Sequence, residues 1–243
     1  MKISIIIPAY NEEKNIEACI RAIQDEIKRS GTDTEIVVAN NASSDRTGEL
    51  ARQAGAIVVD EPRKGITHAR AAGFKVSTGE LIANVDADSL MPEGWLTTVM
   101  KRFENPKLLA LSGPYIYYDA PLYIRIGTKL FYIGGYLINF IHGFLLRSAS
   151  MLQGGNFILR REALEAIGGF DTSIEFWGED TDIGRRVSKM GKVVWTFSLP
   201  MKTSGRRLMK EGLIRTGWNY ALNFFWITLF KKPYTRTYTD VRL

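Results

Sequence analysis

At 243 residues, 45% hydrophobic and 24% charged, the chain has ordinary globular composition and enough length for a large core, which excludes a wholly disordered or collagen-like polymer. A single cysteine, Cys19, excludes an intrachain disulfide and a cysteine-based zinc site; with only His68 and His142 present, metal chemistry has to use carboxylates, and a reducing, cytoplasmic setting is expected. The net charge of +6 is concentrated after Pro200, where only Glu211 and Asp240 oppose the basic side chains; a basic tail mixed with Trp and Phe points to an anionic membrane surface and not to nucleic acid.

The chain opens on a β-branched run, residues 3–8, that reads as a buried strand and is too short for a signal peptide before Pro8 stops it. Asn11 is placed to cap a helix, with Glu12 and Glu13 in its first turn and Ile16, Cys19, Ile20, Ile23 and Ile27 at helical spacing. A strand at 35–39, a helix at 45–54, a strand at 56–59, a helix at 67–77 and a strand at 81–85 follow. This alternation predicts an α/β fold with a Rossmann-like, mostly parallel sheet and helices on both faces. Ligands of such sheets bind beyond the carboxyl ends of the strands, where residues 8–13, 40–45 and 86–89 fall together.

After Leu111 the rhythm changes. Residues 130–146 carry no charge but include Gly134, Gly135, Asn139, His142 and Gly143, which suits an interfacial or partly buried helix better than a lipid-facing span. Residues 208–230 hold Trp218, Tyr220, Phe224, Phe225 and Trp226 between Arg206-Arg207 and Lys231-Lys232, the pattern of a membrane-water interface. The expected organisation is a nucleotide-sugar-binding half at 1–112, an acceptor-binding and catalytic half of the same domain at 113–205, and a basic-aromatic amphipathic tail at 206–243.

Asp86-Ala87-Asp88 directly after an apolar strand offers two oxygen ligands for a hard divalent ion, which commonly completes its shell with phosphate oxygens and water. Residues 179–189 read as a helix, so Asp180 falls in a first turn, where the helix dipole favours an ionised carboxylate.

Taken together, residues 5–13 (Ile-Ile-Ile-Pro-Ala-Tyr-Asn-Glu-Glu), 40–47 (Asn-Asn-Ala-Ser-Ser-Asp-Arg-Thr), Arg63-Lys64-Gly65, Ala69-Arg70, Thr78-Gly79-Glu80, Asp86-Ala87-Asp88, Gly168-Gly169-Phe170-Asp171 and Gly178-Glu179-Asp180 resemble, in order, the inverting family 2 glycosyltransferases of GT-A fold. The resemblance covers roughly residues 3–190. It implies that Pro8, Ala9, Tyr10 and Glu12 line a nucleotide pocket, with Tyr10 against the base and Arg70 nearby. Asn40 matches an aspartate that reads the base; an amide both donates and accepts, so a UDP-sugar is the default donor and a guanine nucleotide stays open. Asp86 and Asp88 would hold Mg²⁺ or Mn²⁺ bridging the diphosphate, with Ala87 between them. Asp180 would be the catalytic base and Glu179 its partner. Gly154, Gly155 and Asn156 would wall the donor-sugar and acceptor site, Trp177 would stack on a sugar, and Arg206 and Arg207 would form a flexible diphosphate clamp. The family also places a histidine late in the domain, and neither His68 nor His142 stands there. The implied partners are a nucleotide sugar, a sugar, lipid or lipid-linked acceptor, and the inner face of the cell membrane. A sugar-phosphate nucleotidyltransferase and a non-catalytic membrane-associated scaffold are the alternative readings; the first wants a Gly-rich basic loop where Glu12 and Glu13 stand.

Overall fold

The computed structural model describes residues 1–146, 151–174, 176–235 and 240, the side chains of 137–146 excepted. The central strand β1 (Ile3–Ala9) is apolar on both faces because helices cover both. Helix α1 (Ile16–Ser30) buries Ile16, Cys19, Ile20 and Ile23 and ends at Gly31, whose φ of 67° needs no Cβ and whose N–H closes on the Ile27 carbonyl at 2.9 Å. Then come β2 (Thr34–Asn41), α2 (Thr47–Gln53), β3 (Ile57–Glu61), α3 (Ile66–Val76) and β4 (Leu81–Val85). Strands β3, β2, β1 and β4 lie side by side and parallel.

The next stretch holds β5 (Ser89–Leu90), α4 (Trp95–Phe103), β6 (Leu108–Ser112), β7 (Tyr115–Tyr117) and α5 (Leu122–Leu146). Strand β8 (Asn156–Arg160) then inserts between β4 and β6, antiparallel to both. Helices α6 (Arg161–Ala166) and α7 (Glu179–Val187) precede β9 (Lys192–Trp195), which completes a seven-stranded sheet in the order β3-β2-β1-β4-β8-β6-β9. Because β8 runs backwards, its first residues meet the last residues of β4: Asn156 pairs with Val85. Strand β10 (Met201–Thr203) joins β5 and β7 in a small second sheet that covers the same end. One face of the main sheet packs on α1 and α4 through Ile5, Ile7, Val38, Leu96 and Phe103; the other packs Ile6, Ile82, Phe157 and Leu159 against Leu164, Ile183 and Val187.

One expectation needs correction. Asn11 caps no helix: it sits at φ +50°, which its short polar side chain tolerates, and its Oδ1 accepts from the Ser44 N–H at 2.9 Å. With Glu12 N–H to Thr47 Oγ1 at 2.7 Å and Glu13 N–H to Asp45 Oδ2 at 3.1 Å, the loops after β1 and β2 are stitched into one rim. Residues 206–230 form α8 (Arg206–Glu211) and α9 (Leu213–Phe230), broken at Gly212 with φ +86°. Helix α9 turns Thr216 and Asn223 inward, while Ile214 (88% exposed), Trp218 (66%), Leu229 and Phe230 face out. Asn223 is satisfied inside: it donates to the Asn219 carbonyl and accepts from the N–H groups of Tyr234 and Thr235. Ile227 is buried with Thr216 and Asn223, while the rings of Trp218, Phe225 and Trp226 stay exposed. Residues 236–239 and 241–243 of the expected tail lie outside the described residues, as do the side chains of Asn139 and His142 on α5. Among the described residues no helix is long and apolar enough to cross a membrane.

Candidate active site

A cleft of about 170 Å³ opens at the carboxyl ends of β1 and β4. Pro8, Ala9, Tyr10 and Glu12 line it from the first loop, and Asp86, Ala87 and Asp88 from the end of β4. Gln153 and Gly154 enter from the approach to β8, Trp177 from the loop before α7, Glu179 and Asp180 from α7, and Arg206 and Arg207 from α8. The acidic pair and Asp180 thus face one space although 92 or more residues separate them in sequence.

Arg70 on α3 holds these two parts together. It is 0% exposed, reaches the Glu179 carboxylate, donates to the Gly154 carbonyl at 2.7 Å, and lies 3.7 Å from Asp86 Oδ1. A guanidinium removed from water survives only with such partners. Burial raises the Glu179 carboxyl to about 7; Arg70 pulls it down and Asp180 pushes it up again. Burial also raises Asp180, against hydrogen bonding from Thr181. Asp180 is therefore a carboxylate with a strengthened affinity for a proton at the edge of a cleft, the property of a general base.

Asp86 accepts from the Tyr115 hydroxyl at 2.8 Å, and that hydroxyl accepts in turn from the Gly155 N–H at 2.5 Å. The backbone at Gly155 lies so close that a Cβ would fall 2.1 Å from Asp86 Cγ. Asp88 accepts from Thr203 Oγ1 at 3.2 Å and pairs with Arg206 Nε at 3.0 Å. Burial raises the Asp88 carboxyl to about 7; Arg206 opposes the rise, and Asp86 and Glu12 add to it.

Several residues stand elsewhere than the sequence suggests. Arg206 is no free arm: it forks onto Glu12 while touching Asp88, so one guanidinium bridges the first loop and the acidic pair. Arg207 bonds Glu211 Oε1 at 2.9 Å and lies over the Phe176 ring at 4.6 Å. Asn40 does not line the cleft. Its amide donates to Asp60 Oδ1 at 2.7 Å on the neighbouring strand, while Asn41 takes the cleft side and ties down the 63–65 loop through the Arg63 carbonyl and the Gly65 N–H. Asn156 is not a wall residue either; it is fully buried and joins Trp95 Nε1, at 3.0 Å, to the Leu199 carbonyl, at 2.8 Å. Gly155 lies beneath Asp86 and outside the lining. Trp177 borders the cleft but is 3% exposed, edge-on to Phe176 and Tyr220, so little of its ring is open for stacking. Sequence reasoning gave no role to Tyr115, Thr203 or Lys64, whose ammonium sits 3.9 Å from the Tyr10 ring centre. The available signals were the crowding of Tyr115, Tyr117 and Tyr118 and the place of Lys64 in Arg63-Lys64-Gly65.

A mostly parallel sheet with one antiparallel insertion and a cleft at its carboxyl edge is the GT-A fold. The mannosyltransferase PcManGT from Pyrobaculum calidifontis, solved with GDP-Man and Mn²⁺, superposes with a TM-score of 0.72 at 22% identity, over 94% of this chain and 63% of that one. Glucosyl-3-phosphoglycerate synthase from Mycobacterium tuberculosis, solved with Mn²⁺, UDP and phosphoglyceric acid, gives 0.64 at 19% identity, over 91% and 77%. Residues 4–168 match the family model for glycosyl transferase family 2, and residues 143–210 that for the N-terminal domain of galactosyltransferase. The chain belongs to glycosyl transferase family 2. Among curated relatives it is 27% identical to a dolichol-phosphate mannosyltransferase of Pyrococcus furiosus, over 82% of this chain and 57% of the relative. It is 30% identical to a probable glycosyltransferase, YdaM, of Bacillus subtilis, over 78% and 47%. The chain thus spans about half the length of these two relatives.

Proposed function

We propose that the chain is a metal-dependent, inverting glycosyltransferase that moves a sugar from a nucleotide sugar to an acceptor hydroxyl. The observation that carries this reading is the shared cleft of the Asp86/Asp88 pair and Asp180, tied together through Arg70. Displacement at an anomeric carbon with inversion needs a proton acceptor on one side and neutralisation of the departing diphosphate on the other. Asp180 takes the hydroxyl proton. Glu179, held by Arg70, fixes the first turn of α7. The cleft halves at 1–112 and 113–205 serve donor and acceptor respectively.

The residues present fit a divalent cation. Asp86 and Asp88 are hard oxygen donors at a strand end, and the guanidinium of Arg206 already lies where Asp88 and Glu12 converge, a place that draws positive charge. Among the described residues no three His, Cys, Asp or Glu side chains converge on one point, so diphosphate oxygens and water would complete the shell. When bound, Mg²⁺ or Mn²⁺ would stabilise the leaving diphosphate. Tyr10, with Lys64 over its ring, borders the base end, and Arg207 the phosphate end. Structural neighbours solved with GDP-Man and with UDP keep both bases in play for this chain.

A lipid or lipid-linked acceptor, and a place on the inner face of the cell membrane, are supported by the outward apolar side chains of α5 and α9 and by the named dolichol-phosphate relative. Thermal unfolding with UDP-, GDP- and dTDP-sugars, with and without Mn²⁺, tests the donor reading. One nucleotide raising the midpoint only with the cation supports it. Stabilisation by a nucleoside triphosphate plus sugar phosphate, with pyrophosphate release, replaces it by a nucleotidyltransferase. Cation-dependent nucleotide binding that survives Asp88→Ala points to a scaffold.

A further inference from the structure

A second cavity, of about 560 Å³, runs between α5 and α9 and opens into the cleft. The two spaces share Tyr117, Gln153, Gly178, Asp180, Leu208 and Tyr220. Glycines make the trough: Gly127, Gly134 and Gly135 on α5 and Gly217 on α9 leave room where side chains would stand. At Gly127 the helices touch, since a Cβ there would fall 2.5 Å from Leu213 Cδ2. At Gly134 a Cβ would meet nothing within 4 Å, so the space is open. Phe131, Leu213, Ile214, Trp218 and Phe224 form the sides. Among the described residues lining this cavity, Asp180 is the only charged one, and it stands at the junction with the cleft.

We infer that this trough seats the apolar chain of the acceptor, and that the acceptor is a lipid whose reacting end is a neutral hydroxyl and not a phosphate monoester. The inference deepens the reading above and rests on it. A soluble sugar would leave an apolar trough wet, whereas an alkyl or isoprenoid chain removes both surfaces from water. The head of a chain lying there arrives at Asp180. A phosphate dianion at that point would meet the Asp180 carboxylate with no cation in the trough to offset the repulsion, while a hydroxyl needs that carboxylate. The arginines of the adjoining cleft, Arg70, Arg206 and Arg207, are paired with Glu179, Glu12 and Glu211. The step balances as follows: the acceptor oxygen forms a bond to the anomeric carbon, the bond from that carbon to the diphosphate oxygen breaks, the hydroxyl proton passes to Asp180, and the nucleoside diphosphate leaves.

The test is calorimetric binding of hexyl to nonyl β-D-glucosides, each below its micellar concentration, to the full chain without donor. The same series of n-alkyl phosphates and a Gly217→Leu variant complete it. At Gly217 a Cβ would sit 3.9 Å from Phe131, so a larger side chain enters the trough and not the backbone. Affinity for the glucosides is expected to tighten about fourfold per added methylene. It is expected to drop at least about tenfold when the head is a phosphate, and the dependence on chain length is expected to vanish in Gly217→Leu. Gly134→Leu does the same work should the first variant fail to fold. No chain-length dependence, tighter binding of the phosphates, or a dependence that survives both variants overturns the proposal, as does sedimentation showing that a second copy covers the trough. Stabilisation by nucleotide sugar and Mn²⁺, measured on the same sample, separates this outcome from failure of the donor reading: a stabilised chain that ignores chain length loses only the lipid site.

Discussion

Glu35 and Asp88 sit at opposite ends of the same parallel sheet, and their surroundings are opposite too. Glu35, near the start of β2, accepts from Ser4 Oγ at 2.6 Å and from the N–H and hydroxyl of Thr78 at 2.6 and 2.8 Å, and pairs with Lys2 Nζ at 2.8 Å. Burial would raise its carboxyl, but Lys2, Ser4 and Thr78 together bring it down to about 2. Asp88, beyond the end of β4, shares its space with Asp86 and Glu12 and is pushed up to about 7 by burial despite Arg206. One end of the sheet satisfies its acid and gains stability. The other crowds acids that disfavour one another and holds them with Arg70 and Arg206. A fold tolerates such crowding where the chemistry uses it, which is why the perturbed end marks the site.

Substitutions at the two ends of the sheet should separate these roles. The largest effect is expected from Asp88→Asn, which replaces a carboxylate proposed to hold the cation: the transfer rate should fall on the order of 10⁴-fold, the size of several kcal/mol of lost charge stabilisation, and cation-dependent stabilisation by nucleotide should disappear in a thermal-shift assay. Asp180→Asn should lower kcat on the order of 10³-fold while leaving that stabilisation intact; a normal kcat would remove Asp180 from the base role. At the quiet end, Glu35→Gln should cost up to about 3 kcal/mol in urea unfolding at neutral pH, from a carboxyl that moves from 4.5 to about 2 on folding. The sign is fixed by that lowering. The stabilisation is complete above about pH 4.5 and is lost as pH falls through about 2, so the gap between wild type and variant should close over that interval. A gap that widens in acid contradicts the assignment. The smallest effect is expected from Gly155→Ala, which forces the Asp86 and Tyr115 side chains aside and should cost about 1–3 kcal/mol, read as a lower unfolding midpoint.

How much of this was legible follows from range. The β–α alternation is local, so the strand ends and their three loops could be read from residues 3–89 alone, and with them the acidic pair. Asp180 was legible through its motif. What escaped was parity and partnership. Side chains alternate faces along a strand, so a one-residue choice between Asn40 and Asn41 decides which one meets the cleft, and composition does not make that choice. The fork of Arg206 onto Glu12 spans 194 positions, and the bond of Tyr115 to Asp86 crosses from the small sheet to the large one. No spacing rule reaches either. For α9, periodicity reports that a helix has two faces but not which one the core lies against, and here Thr216, Asn223 and Ile227 took the inside.

The contact of bare backbone at Gly155 with the Asp86 carboxylate also divides the site by how it can be redesigned. Beneath the acidic pair, main chain is pressed on the Asp86 side chain with no space for even a methyl group, so the seat of that carboxylate cannot be retuned by exchanging the residue at Gly155. The helices opposite, α7, α8 and α9, meet the cleft with ordinary side chains. New acceptors are therefore to be sought by varying the roof, with the floor left as a fixed datum.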